Sequence, residues 1–171
     1  MRVIFLDIDG VLNSHRSAVA MQTFHTLDPI AVKMLFRLVT LAEAKIVISS
    51  TWRLDKQWLT TIWGALRQAG WPWAHSGFLP LGECPIIDRT ARTSPNGSLR
   101  GYEIQDWLDA NLKYDDYIIL DDDSDMLDSQ MDRFIKCYHH TGFGWEQWEK
   151  IRKLWPEVDN TTTYRDLETY E

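Results

Sequence analysis

The chain has 171 residues, 44% of them hydrophobic and 25% charged, with a formal net charge of −7. That length gives one domain with a proper core, and the acidic balance excludes broad, charge-driven nucleic-acid binding while leaving room for a local basic pocket. Only Cys84 and Cys137 occur, with no CxxC or His/Cys cluster, which argues against a zinc site or disulfide framework and suits reduced thiols in the cytoplasm.

In chain order, Val3 to Leu6 is a short apolar run of the kind that forms a strand buried on both faces. It breaks at Asp7, and no long uncharged apolar run follows, so neither a signal peptide nor a membrane span is expected. "TLDPIAVKMLFRLVTLAEA" reads as a helix with Asp28 as N-cap, Pro29 in the first turn, and one stripe of Ile30, Met34, Leu38 and Leu41. "KIVISS" is a second buried strand. "KQWLTTIWGALRQAG" is a helix with Trp58, Ile62 and Leu66 on one face and Gly70 as its stop.

From Trp71 to Leu99, prolines and glycines mark loops, with room for one short strand near "WPWAHSGF". "GYEIQDWLDANL" is helical, with Ile104, Trp107, Leu108 and Leu112 in register. "DYIIL" is a buried strand ending in "DDDSD", and "RFIKCYH" suits an edge strand. "WEQWEKIRKLW" closes the fold as a helix stopped by Pro156, with Trp145, Trp148 and Trp155 as its buried stripe. One domain over residues 1–156 and a polar tail over 157–171 follow.

This alternation is that of an α/β domain with a mainly parallel central sheet flanked by helices, in which ligands sit beyond the carboxyl ends of the strands. Three strands end in Asp7-Ile8-Asp9, Ser49-Ser50 and Asp121-Asp122-Asp123. Carboxylates so close repel unless a cation lies between them. Two such strand ends facing one crevice form a hard oxygen cage suited to Mg2+, with Gly10 letting the chain turn past it. A serine hydroxyl and an arginine aimed at the same crevice suit phosphate oxygens.

"DIDGVLN" resembles the first motif of the haloacid dehalogenase (HAD) superfamily of phosphohydrolases. The likeness continues through "IVISS", Arg100 in "LRGYEIQDWL", and "IILDDD", covering about Val3 to Asp125 in the family's order. "SSTWR", "RGYEIQDWL" and "LDDDSDM" look closest to the branch associated with RNA or DNA end repair, the polynucleotide kinase/phosphatase-like phosphatase domains.

The resemblance implies a Rossmann-like HAD fold and a set of roles. Asp7 attacks phosphorus to form an aspartyl-phosphate, and Asp9 protonates the leaving oxygen and then activates water. Asp7, the main-chain carbonyl of Ile8 or Asp9, and Asp121 or Asp122 hold Mg2+. Ser50 binds a phosphate oxygen and Arg100 stabilises nucleophile and phosphoryl group. Ser49 and Ser50 point to opposite sides of a strand, so one alone fills the role, and Ser50 is chosen. Asp121 and Asp122 are preferred over Asp123 and Asp125 because they follow the apolar run directly.

Family members often carry a cap over small substrates. Asn13 to Ala44 holds only a loop and one helix, and Leu54 to Leu99 leaves room for a small cover at most. An open crevice admits a bulky phosphorylated substrate such as a nucleic-acid end or nucleotide, on which Trp52 could stack while Arg53 pairs with a phosphate.

Each residue also has an ordinary explanation. Trp52 is most simply core, Arg53 and Arg100 surface cations, Ser50 a backbone-bonding hydroxyl, and "DDDSD" a solvated turn. Arg92 or Lys113 could replace Arg100 as the basic group, and His139 and His140 read as structural or exposed. The ordered set favours a Mg2+-dependent phosphomonoesterase of nucleic-acid 3'-phosphate ends or nucleotides. The alternatives are a small-metabolite phosphatase and a non-catalytic binding protein.

Overall fold

A computed structural model describes residues 1–23, 26–71, 84–92 and 99–159. Five strands, β1 (Arg2–Leu6), β2 (Ala44–Ile48), β3 (Ile86–Arg89), β4 (Asp116–Asp121) and β5 (Phe134–Lys136), form one sheet in the order β3-β2-β1-β4-β5. Every pairing is parallel. Among the described residues the α-helices are α1 (His15–Met21), α2 (Pro29–Ala42), α3 (Trp58–Gln68), α4 (Arg100–Ala110) and α5 (Trp145–Leu154). The fold is Rossmann-like α/β, as the alternation of apolar runs and amphipathic stretches predicts.

Side chains alternate across each strand, so the sheet has two cores. Ile4, Leu6, Ile46, Ile48, Ile118 and Leu120 face α2, α3 and α5 in the larger one. Val3, Phe5, Val47 and Ile119 face α4 through Ile104, Trp107 and Leu108. There Phe5 meets Trp107 edge-on at 5.3 Å between ring centroids, a favourable aromatic geometry. Being apolar on both faces, β1 reads as a continuous hydrophobic run.

Several local expectations are corrected. The segment before α2 contains a second helix, α1, fastened by a capping box between Ser14 and Ser17. Asp28 caps α2 by accepting the Ile30 N–H at 2.8 Å, a contact worth about 1 kcal/mol. The buried stripe of α2, however, is Ala31, Val32, Leu35, Leu38, Val39 and Ala42, and Ile30 is exposed. A helix apolar on most sides hides its phase.

The strand between α3 and α4 is "IIDR" at Ile86–Arg89; the stretch near "WPWAHSGF" lies outside the described residues from position 72 on. Leu112 falls past the end of α4 and is exposed, as is Trp145 at the start of α5, whereas Trp148 and Trp155 are core. Val158 still packs into the larger core, so the chain keeps folding past Pro156. No helix among the described residues is long and apolar enough to cross a membrane.

Candidate active site

The sheet register assembles the site. Leu6 is paired with Ile48 on one side and Leu120 on the other, so the next residue, Asp7, lies beside Ser49 and Asp121. Asp7 and Asp121 continue the face of Phe5 and Ile119, which α4 covers. The first residue of α4 is Arg100, whose Nη1 lies 2.8 Å from Asp7 Oδ1 and 3.0 Å from Asp121 Oδ2.

Arg100 is held from behind. Asp125 Oδ2 accepts its backbone N–H at 2.8 Å, and the Asp125 carbonyl accepts that of Gly101 at 3.2 Å. The last aspartate of "DDDSD" therefore fixes α4, on the favourable side of its dipole. The loop between is tied by Lys136, whose ammonium donates to the Asp122 carbonyl and, at 2.7 Å, to the Ser124 hydroxyl.

Asp7, Asp121 and Asp122 each offer a carboxylate oxygen, all within 4.8 Å of one another. Burial raises the Asp7 pKa against the pull of Arg100, the Ser50 hydroxyl and the Ile8 backbone. Burial, then the charge of Asp7, pushes Asp121 up to about 7, and Asp122 is raised for the same two reasons. Burial pulls Arg100 down, but Asp7 and Asp121 more than reverse it, so the guanidinium stays charged. Asp7 and Asp121 share the Arg100 guanidinium, Asp122 lies beside Lys136, and the buried Asp121 Oδ2 accepts no hydrogen bond beyond that ion-pair contact. That donor set is hard, anionic and under-neutralised, and it fits Mg2+.

Gly10 is what allows the approach. Its φ is +75°, and a Cβ built there would lie 2.2 Å from Asp122 Oδ2. No side chain can stand between the first motif and Asp122.

The carboxylate of Asp9 is not part of the acidic trio. Its Oδ1 accepts from Asn13 Nδ2 at 2.8 Å and its Oδ2 from the Trp52 indole N–H at 2.9 Å. Asn13 also accepts the Gly10 N–H at 2.9 Å. As a metal ligand Asp9 can act through its main-chain carbonyl instead. The Ile8 carbonyl is already engaged by the N–H groups of Val11, Leu12 and Asn13.

Trp52 thus meets the site through its edge, half-buried, with its polar handle committed to Asp9. Ser50 is buried and hydrogen-bonded to Asp7. Ser49 is equally buried, and its hydroxyl has no partner.

Arg53 does not face the crevice. It is 4% exposed, and its guanidinium donates to the carbonyls of Thr90, Ser49 and Ser50 at 3.0, 2.6 and 2.8 Å and to Glu103 Oε2 at 2.5 Å. The chain enters a short 3₁₀ turn at Thr51–Leu54, which swings this side chain under the strand ends. Arg53 is a clamp joining β2, the end of β3 and α4, and its donors are spent there rather than on a substrate phosphate.

Asn13, Lys136 and Glu103 support the site without a sequence signal of their own, except that "DIDGVLN" places Asn13 one helical turn after Asp9. Asp125, weighed in the sequence as a ligand beside Asp121 and Asp122, instead fixes the start of α4.

A family model described as "HAD domain in Swiss Army Knife RNA repair proteins" matches residues 3–148. No curated protein and no solved structure matches the chain.

Proposed function

The chain belongs to this family of HAD domains from RNA repair proteins, a phosphatase-type hydrolase class, and from that premise we propose that it is a Mg2+-dependent phosphomonoesterase. Its proposed substrates are nucleic-acid 3'-phosphate ends or nucleotides. The observation that carries this reading is the convergence of Asp7, Asp121 and Asp122 at the carboxyl end of the sheet, with Arg100 paired to the first two.

In the proposed reaction an Asp7 carboxylate oxygen attacks phosphorus while the ester P–O bond breaks. Asp9 gives a proton to the leaving oxygen, so the alcohol departs neutral. Asp9 then takes a proton from water, whose oxygen attacks phosphorus and releases Asp7 and inorganic phosphate. Arg100 keeps the nucleophile in line and meets the charge on the phosphoryl oxygens. The Ser50 hydroxyl turns from Asp7 to one of those oxygens. Mg2+ held by Asp7, Asp121, Asp122 and the Asp9 carbonyl would neutralise the clustered carboxylates and let an anionic substrate approach.

Turnover of a generic aryl phosphate is expected to vanish on chelation and return with Mg2+, and Mg2+ is expected to raise the melting temperature by relieving the trio's repulsion. Full activity in excess chelator, after tightly held metal has been stripped, overturns the metal requirement. Comparing 3'-phosphorylated oligonucleotide, 5'-phosphorylated oligonucleotide and mononucleotides then tests the substrate class.

Trp52 gives a finer test. Trp52→Phe keeps an aromatic face but removes the N–H that holds Asp9. A hydrogen bond to a charged group is worth about 1.5–3 kcal/mol, so kcat is expected to fall about ten- to hundredfold on aryl phosphate and oligonucleotide alike. A loss confined to oligonucleotide, in Trp52→Ala but not in Trp52→Phe, would assign Trp52 to stacking instead.

A further inference from the structure

Three histidines outside the acidic site are brought together from opposite ends of the chain. His15 opens α1, and His139 and His140 follow β5. Each presents a ring nitrogen, and the three nitrogens lie within 4.8 Å of one another. The ring centroids of His139 and His140 are 3.8 Å apart, and His15 stands 5.0 and 5.6 Å from them.

The rings are not needed to hold these segments together. The His15 N–H donates to the His139 carbonyl at 2.9 Å, the Arg16 N–H to the His140 carbonyl at 3.1 Å, and the Phe143 N–H to the Val11 carbonyl at 2.7 Å. Gly142, at φ +69°, lets the turn approach so closely that a Cβ there would lie 2.8 Å from the Val11 carbonyl. The backbone therefore fixes three exposed imidazoles on one patch. All three rings are exposed, so crowding them gains little packing.

We propose that His15, His139 and His140 form a second metal site, selective for Zn2+ or a similar borderline transition ion, with a fourth position open to water. Imidazole nitrogens favour such ions, whereas the carboxylate trio favours Mg2+. Zn–N bonds of about 2.0–2.1 Å place tetrahedral ligand nitrogens ~3.4 Å apart, and small turns of exposed rings close the remaining gap. The ion would staple the turn after β5 to the segment that carries Asn13 and, through it, Asp9. The inference stands on the backbone geometry and does not depend on the phosphatase reading.

The test is Zn2+ titration of the metal-stripped full chain in excess Mg2+, followed by Co2+ substitution. One equivalent of Zn2+ is expected to bind, and Co2+ should show the visible bands of low-coordinate imidazole ligation. Loss of even a supporting partner costs metal affinity roughly 10–100-fold, so His15→Ala and His140→Ala should each weaken Zn2+ binding at least about tenfold. Asp121→Asn should leave it unchanged.

Parental Zn2+ affinity in the histidine variants, or displacement of Zn2+ by Mg2+, overturns the site. Absence of the Co2+ bands in the unaltered protein does so without any variant. Should the histidine site hold while the protein turns over no phosphomonoester with Mg2+ present, the phosphatase proposal alone fails.

Discussion

Asp7→Asn is expected to abolish turnover of every phosphomonoester, by about 10⁴-fold or more, because a neutral amide cannot take the phosphoryl group. Folding should survive. Burial already raises the Asp7 pKa, so the charge removed is one the folded state holds at a cost. Arg100 keeps Asp121 as its partner. The measurement pairs a rate with a melting curve, and acid-quench trapping of an acyl-phosphate should succeed in the parent and fail in the variant. A folded Asp7→Asn protein with ordinary turnover places the nucleophile elsewhere.

The second large effect concerns stability. Arg53 and Glu103 are both buried, their side chains 5% and 6% exposed. Removing one partner of such a pair leaves an uncompensated charge, at a cost of about 3–5 kcal/mol. At the roughly 2–4 °C per kcal/mol usual for chains of this size, Glu103→Ala should melt some 6–20 °C lower. Replacing both partners with apolar residues should cost less than Glu103→Ala alone, since no charge is stranded. An unchanged melting temperature in Glu103→Ala would mean that the carbonyls of Ser49, Ser50 and Thr90 hold the Arg53 charge without Glu103.

Whether a residue could be placed from sequence depended on how local its determinants are. The buried strands β1, β2 and β4 announce themselves as apolar runs, and α/β alternation then places their carboxyl ends together. That logic brings the strand ends carrying Asp7, Ser50, Asp121 and Asp122 to one place, as the structure does, while Arg100 at the start of a helix was reached only through the family resemblance. It failed where partners are remote. Arg53 looked like a crevice residue because it follows a loaded strand end, while Thr90 and Glu103, which capture it, lie far along the chain.

Short elements failed for a different reason. β3 has four residues with an exposed Ile87, and α1 has seven with an exposed Val19, so neither carries enough apolar period to register. The histidine patch was invisible because His15 and His139 meet only through the fold.

The central place of β1 also governs how the chain is made. Its partners are β2 and β4, and residues 49 to 115 must be synthesised between them. At ~5–20 residues per second, the apolar edge of the first strand waits several seconds on the ribosome for its second neighbour. During that interval Asp7 has neither Arg100 nor Asp121 beside it, and the nascent chain is an open sheet that another strand can join. Slowing translation between Ile48 and Asp116 should therefore lower soluble yield, while the same delay placed after Lys136 should cost little.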